Sequence, residues 1–185
     1  MNSIEVNGLT KKFGSFTSVD NISFTVGEGE IFGFLGANGA GKSTTIRMLC
    51  GILQPTSGDA LVGGHSVMKD PDKVKQNIGY MSQRFSLYDD LTVEENIDFF
   101  GGIYGLNGNS LKSRKSWVLK IANLRNKESL LTGSLPGGIK QRLALGTSVI
   151  HNPQIVFLDE PTSGVDPISR RGFWELINDL SEQGT

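Results

Sequence analysis

The stretch Gly36-Ala37-Asn38-Gly39-Ala40-Gly41-Lys42-Ser43 fits G-x-x-x-x-G-K-[ST] and sits where an apolar run gives way to helical spacing, the context in which that pattern carries meaning. The run Glu30–Leu35 reads as a central, fully buried strand that halts at Gly36. After Lys42, the residues Ile46, Leu49 and Leu53 share one helical face until Pro55 and the Thr56-Ser57-Gly58 turn end it. A phosphate needs several donors converging on a small concavity, and backbone N–H groups supply them only where side chains are absent, hence Gly39 and Gly41. The helix that opens near Lys42 adds the positive end of its dipole. Lys42 is then placed to bridge β- and γ-phosphates, and Ser43 to put a hydroxyl on Mg²⁺. Gly36, Ala37, Asn38, Gly39, Ala40, Gly41, Lys42, Ser43 and the adjoining Thr44 form the candidate nucleotide contact.

A second signal follows the apolar run Ile155–Leu158. Asp159-Glu160 puts two carboxylates at the carboxyl end of a buried strand, where open α/β sheets bind ligands. Asp159 suits Mg²⁺ or its water, and Glu160 suits polarisation of an attacking water. Alone, such a pair is equally a solvated strand end; beside a phosphate loop it reads as catalytic.

Between these motifs the pattern changes. Alternation at Ile22, Phe24 and Val26 marks a half-buried strand, Ala60–Val62 and Ile78–Met81 mark shorter ones, and Asp70-Pro71 opens a helix. From about Arg84 to Ile150 helical signals replace them. Thr92 and Glu95 form a capping box ahead of Val93, Ile97, Phe100 and Tyr104, and further helices are expected over Ser110–Asn123 and Gly138–Ile150. Asp166-Pro167 then starts a helix carrying Phe173, Leu176, Ile177 and Leu180 inward. An α/β layer is interrupted by a helical insertion and resumes.

Composition narrows the function classes. With 18 Lys+Arg against 19 Asp+Glu, no strongly basic face exists to coat nucleic acid or an anionic membrane, and no nucleic-acid partner is expected. Cys50 is the sole cysteine, which excludes an intramolecular disulfide and a cysteine metal cluster and fits a reducing compartment. No apolar stretch approaches the roughly 18 residues of a membrane span, and Met1–Thr10 lacks a signal-peptide pattern. Any membrane role requires another chain.

Together with Leu135-Pro136-Gly137-Gly138-Ile139-Lys140-Gln141-Arg142, in which Gly138 precedes Asp159 by 21 residues, the two motifs resemble the ATP-binding cassette (ABC) ATPases over essentially the whole chain. The resemblance implies an α/β fold with a P-loop NTPase (RecA-like) core, N-terminal antiparallel β strands and an inserted α-helical subdomain. It divides the chain into a nucleotide-binding core, 1–83 and 151–185, and a helical signature subdomain, 84–150, within one domain incomplete at its C-terminus. It implies ATP and Mg²⁺ as ligands, Ser43, Gln83 and Asp159 on the metal, and Glu160, Lys42 and Gln83 in catalysis. Phe13 takes the place of the aromatic that stacks on adenine, although by itself a Phe there is more often core. Gln83 matches the Q-loop glutamine, and Gly137 and Gly138 the signature glycines that face nucleotide on the opposite subunit. Asp166, in Ser163-Gly164-Val165-Asp166, matches the D-loop at a dimer interface and is also suited to cap the helix at Pro167.

Two departures stand out. Pro136 occupies the place of a signature serine and supplies neither hydroxyl nor N–H, leaving the helix N-terminus and two glycine amides as the anion site; equally, it serves simply to start a helix. The family's switch histidine lies beyond the catalytic glutamate after a further strand, whereas this sequence ends 25 residues after Glu160 and neither His65 nor His151 matches that role. A fragment or a shortened chain is expected.

The partners implied are a transmembrane permease subunit and a second ABC ATPase subunit in a head-to-tail dimer, with the chain peripheral on the cytoplasmic face of the membrane. The Q-loop region Tyr80–Ile103, including Leu87-Tyr88-Asp89-Asp90-Leu91-Thr92-Val93-Glu94-Glu95-Asn96, is similar to that of ABC-2 type exporters. A module that binds ATP without turnover and a non-transport ABC ATPase are the alternatives. The lack of an Asn-Lys-x-Asp motif disfavours a GTPase.

Overall fold

The computed structural model describes residues 2–83 and 87–185. Met1 and the Arg84–Ser86 part of the Q-loop region lie outside the described residues. The chain divides into two compact units, one running to Ile78 and joined by Ser181–Thr185, the other spanning Gly79–Leu180.

In the first unit, β1 (Asn2–Phe13) and β2 (Phe16–Gly27) form an antiparallel hairpin around Gly14-Ser15. Strands β3 (Ser57–Val62) and β4 (His65–Ser66) extend the sheet in the order β2-β1-β3-β4. The pairing of Ile4 with Val62 and of Val6 with Ala60 keeps these four side chains buried, as the two-residue strand period requires. Helix α1 (Lys42–Leu49) buries Ile46, Met48 and Leu49; Ile46 and Leu49 are as read from the spacing, while Leu53 lies beyond the helix end. Helix α2 (Pro71–Asn77) has Asp70 at its N-cap.

The expected buried strand over Glu30–Leu35 is not there. Residues 30–37 belong to no strand, and Ile31, Phe32 and Leu35 are 52%, 42% and 98% exposed. An apolar run becomes a central strand only when neighbouring strands take up its hydrogen bonds, and this unit's sheet is made by β1–β4. The run instead packs its rings on β2: Phe32 stacks on Phe24 at 5.2 Å, and Phe34 meets both rings edge-on at 5.3 and 5.5 Å.

In the second unit, β5 (Ile78–Met81) pairs with β6 (Ile155–Leu158). Among the described residues the α-helices α3 (Val93–Ile103), α4 (Gly108–Ile121), α5 (Gly137–Ser148) and α6 (Pro167–Glu182) accompany them. The α3 capping box forms as expected, Glu95 N–H donating to Thr92 Oγ1 at 3.3 Å and Thr92 N–H to Glu95 Oε2 at 2.8 Å. Val93, Ile97, Val118, Leu124, Leu143 and Ile150 form one core between α3, α4 and α5. Met81, Leu145, Phe173, Leu176, Ile177 and Leu180 form a second under α6. The Arg114 guanidinium donates to the carbonyls of Val149 and Ile150 at 2.8 and 2.6 Å, satisfying acceptors that the end of α5 leaves open.

Candidate functional site

The phosphate loop belongs to the first unit. Gly39 and Gly41 both have φ 84°, a left-handed conformation that side chains disfavour. Gly41 is doubly constrained, because a Cβ there would collide with the Ser18 carbonyl oxygen and approach Val19 to 3.1 Å. Its carbonyl accepts from Thr45 N–H at 2.8 Å and from Thr45 Oγ1 at 3.0 Å, so α1 starts abruptly after the loop. Lys42 Nζ curls back to donate to the carbonyls of Gly36 and Ala37 at 2.8 and 3.0 Å, which centres its charge on the loop. Ser18 Oγ donates to Thr44 Oγ1 at 3.1 Å, and Ser43 is exposed. Phe13 is 51% exposed at the hairpin tip, which rules out the core role, with Lys11 Nζ lying 5.2 Å from its ring centroid in cation–π range.

In the second unit, the ends of β5 and β6 bring the polar residues together. Asp159 N–H donates to the Met81 carbonyl at 2.9 Å, and Asp159 is 7% exposed. Glu160 is exposed, has φ 49°, and accepts from Gln83 Nε2 at 2.9 Å. A non-glycine residue in this conformation is uncommon and strained, a condition that concentrates at functional sites.

The same unit carries the glycine pair at the start of α5. Pro136 is the N-cap, with φ −57° and ψ 146°, and its carbonyl accepts from Ile139 N–H at 2.9 Å and Lys140 N–H at 3.0 Å. The N–H groups of Gly137 and Gly138 fall in the first helical turn, which has no intrahelical acceptor. A Cβ on Gly138 would lie 2.5 Å from Ser169 Oγ and 2.6 Å from Ser169 Cβ, while one on Gly137 would meet nothing within 4 Å. Asp166 Oδ1 accepts from the N–H groups of Ile168 (3.1 Å) and Ser169 (2.9 Å), the capping role foreseen for it. The Ser169 side chain, and then its backbone N–H, hold the Asp166 carboxyl below its ordinary value.

Of the histidines, His65 lies in β4, and His151 follows α5 and stacks on Tyr104 at 3.6 Å. One polar residue escaped notice in the sequence. Asn96 is fully buried and bonds Tyr88, Thr92 and Thr132. Its signal was available: between Val93, Ile97 and Phe100 it falls on the apolar stripe of α3, where a polar side chain must find partners.

The first unit carries a glycine loop closed by a lysine at a helix start and the second a carboxylate pair at a strand end, each a feature found in P-loop nucleoside-triphosphatase domains. The family model described as ABC transporter matches residues 19–163, and the chain belongs to that family. It is 54% identical over 181 residues to the probable multidrug ABC transporter ATP-binding protein YbhF of Escherichia coli strain K12, covering 98% of this chain and 31% of that protein. It is 40% identical over 181 residues to the linearmycin resistance ATP-binding protein LnrL of Bacillus subtilis strain 168, covering 98% and 58%. The chain thus spans about a third to somewhat over half the length of these curated relatives. A solved structure described as the ATP-binding subunit of an ABC transporter superposes with TM-score 0.86 at 27% identity, over 98% of this chain and 76% of that one. The fold is that of the ABC ATPases, an α/β P-loop NTPase domain with N-terminal antiparallel strands.

Proposed function

We propose that this chain binds and hydrolyses ATP as the nucleotide-binding part of an ABC exporter, driving a separate transmembrane permease subunit. The observation that carries hydrolysis, beyond binding, is the exposed Glu160 carboxylate held by Gln83 next to the buried Asp159. The names of the relatives YbhF and LnrL, multidrug transport and linearmycin resistance, support export.

In this reading Gly36–Thr44 bind the phosphates through backbone N–H groups, and Lys42 exchanges its two carbonyl acceptors for β- and γ-phosphate oxygens, a stronger charge-assisted contact. Phe13 offers the exposed face of an aromatic ring to adenine. Ser43, Gln83 and Asp159 are all oxygen donors, the set Mg²⁺ prefers. Among the described residues no cluster of three His, Cys, Asp or Glu forms a metal cage, which fits an ion bound largely through substrate phosphates. When bound, Mg²⁺ neutralises charge on the β- and γ-phosphates. Glu160 orients water in line with the γ-phosphate and takes its proton. Gly137, Gly138 and Asp166 act in a head-to-tail dimer, toward nucleotide held by a second subunit. No helix of the described residues is long and apolar enough to cross a membrane, and the membrane-spanning part is assigned to the permease, with this chain on its cytoplasmic face.

Pro136 favours a second reading, a module that holds ATP without turning it over, because the signature hydroxyl is missing. Steady-state Mg²⁺-ATP hydrolysis by the 185-residue chain, with Lys42→Ala and Glu160→Gln as blanks, separates the two. Turnover abolished in both blanks supports hydrolysis; ATP affinity without turnover, even beside the permease, selects the second reading. Proline at 136 is expected to weaken the signature without abolishing it, since the Gly137 and Gly138 amides remain; Pro136→Ser should therefore raise turnover, and no gain would count against this.

A further inference from the structure

Five consecutive residues grip the approach to α5 at both ends. The stretch 88–92 runs beside 130–133: Thr132 N–H donates to the Leu91 carbonyl at 2.9 Å, Gly133 N–H donates to the Asp89 carbonyl at 2.9 Å, and Thr92 bridges to Leu131. Asn96 locks this arrangement from below. It accepts from Tyr88 N–H at 2.9 Å and donates to the Tyr88 carbonyl at 2.9 Å, the Thr92 carbonyl at 3.1 Å and Thr132 Oγ1 at 3.0 Å. On the far side of the Pro136-Gly137-Gly138 turn, Lys140 Nζ donates to Asp89 Oδ1 at 2.9 Å.

Asp89 therefore holds Gly133 with its backbone carbonyl and Lys140 with its carboxylate, on either side of the glycine pair. The Lys140 side chain is only 15% exposed against 70% for Asp89, so the lysine is the more confined partner. Its backbone N–H also closes the first turn of α5 on Pro136. A shift of Asp89 is thus passed both to the residues before the turn and to the helix after it.

We propose that Asp89 is a positioning residue: through Gly133 and Lys140, and backed by the Asn96 network, it sets where the Gly137 and Gly138 N–H groups point. This rests on the proposed role of those glycines toward nucleotide. Asp89 touches no nucleotide itself; it fixes donors whose value depends on being aimed before the reaction. Loss of the ion pair leaves the Gly133 contact, so the turn loosens at one end without unfolding.

The test compares Asp89→Ala, Lys140→Met and the exchanged pair Asp89→Lys with Lys140→Asp in the 185-residue chain. Hydrogen–deuterium exchange reads the clamp without any need for turnover. Amides of residues 133–135 and 137–140 are expected to exchange roughly two- to fivefold faster in each single variant, the upper part of the range for an ion pair near the surface, and to recover in the exchanged pair. ATP hydrolysis reads the consequence: kcat is expected to fall on the order of fivefold with KM within about twofold, since the phosphate loop is untouched. Unchanged exchange at 133–140, or a rise spread evenly over the chain, overturns the clamp. Unchanged kcat, or KM rising with it, overturns the positioning role. A wild-type chain that hydrolyses nothing counts against the proposed hydrolysis instead, and the exchange data then decide the clamp alone.

Discussion

Gln83 Nε2 donates to Glu160 Oε2 across 2.9 Å, joining residues 77 positions apart at the ends of β5 and β6. The contact engages the carboxylate proposed to handle water, at a residue whose left-handed backbone costs roughly 1–2 kcal/mol. Glu160 must therefore be held by its surroundings: Asp159 N–H on the Met81 carbonyl before it and Ser163 N–H on its own carbonyl after it.

Glu160→Gln keeps the size and the hydrogen-bonding reach of the side chain but removes its basicity. Phosphate release is expected to fall about 10²- to 10⁴-fold while ATP still binds, trapping a dimer. Sedimentation velocity at saturating ATP checks this, and a monomer would contradict it.

Lys42→Ala removes the cation that closes the loop on the Gly36 and Ala37 carbonyls. A charged hydrogen-bonding group of this kind contributes about 1.5–3 kcal/mol, so ATP affinity is expected to weaken roughly ten- to hundredfold. Titration calorimetry measures it; unaltered affinity would remove Lys42 from the phosphate contact.

Gly137 and Gly138 should separate on stability. Alanine at 138 meets Ser169 at 2.5 Å and is expected to cost about 1–3 kcal/mol, whereas alanine at 137 has open space and gains up to about 1 kcal/mol in helix propensity. Urea unfolding of the two variants gives the comparison, and Ser169→Gly should relieve the first.

The Asp166 cap carries a pH signature. Because its folded carboxyl is held below its ordinary value, its stabilisation is complete above the ordinary carboxylate range and disappears as pH falls through the lowered value. The gap in melting temperature between the chain and Asp166→Ala should be open at pH 6 and close at low pH. A gap that does not depend on pH would mean that the charge contributes nothing.

Local chemistry was legible in the sequence; non-local pairing was less so. Thr92 with Glu95, Asp70 with Pro71, and the loop before Lys42 each involve residues a few positions apart, and each formed where it was read. Glu30–Leu35 failed because apolarity reports a preference for burial, while strand formation depends on partners elsewhere in the chain. The β5–β6 end could be anticipated from Ile155–Leu158, but its hydrogen bond between Gln83 and Glu160 could not, since only the fold relates those positions. Asn96 and the Asp89–Lys140 pair were hidden for the same reason.

The aromatic cluster of Phe24, Phe32 and Phe34 has a bearing on how the purified chain behaves. Its rings shelter one another, yet Ile31 and Leu35 beside them face water on a segment outside the sheets. Apolar and lacking proline or charge from Ile31 to Leu35, such a segment is a template for edge-to-edge association. Concentration should therefore bring about self-association that mild detergent reverses, and a single lysine at position 35 should raise the solubility limit.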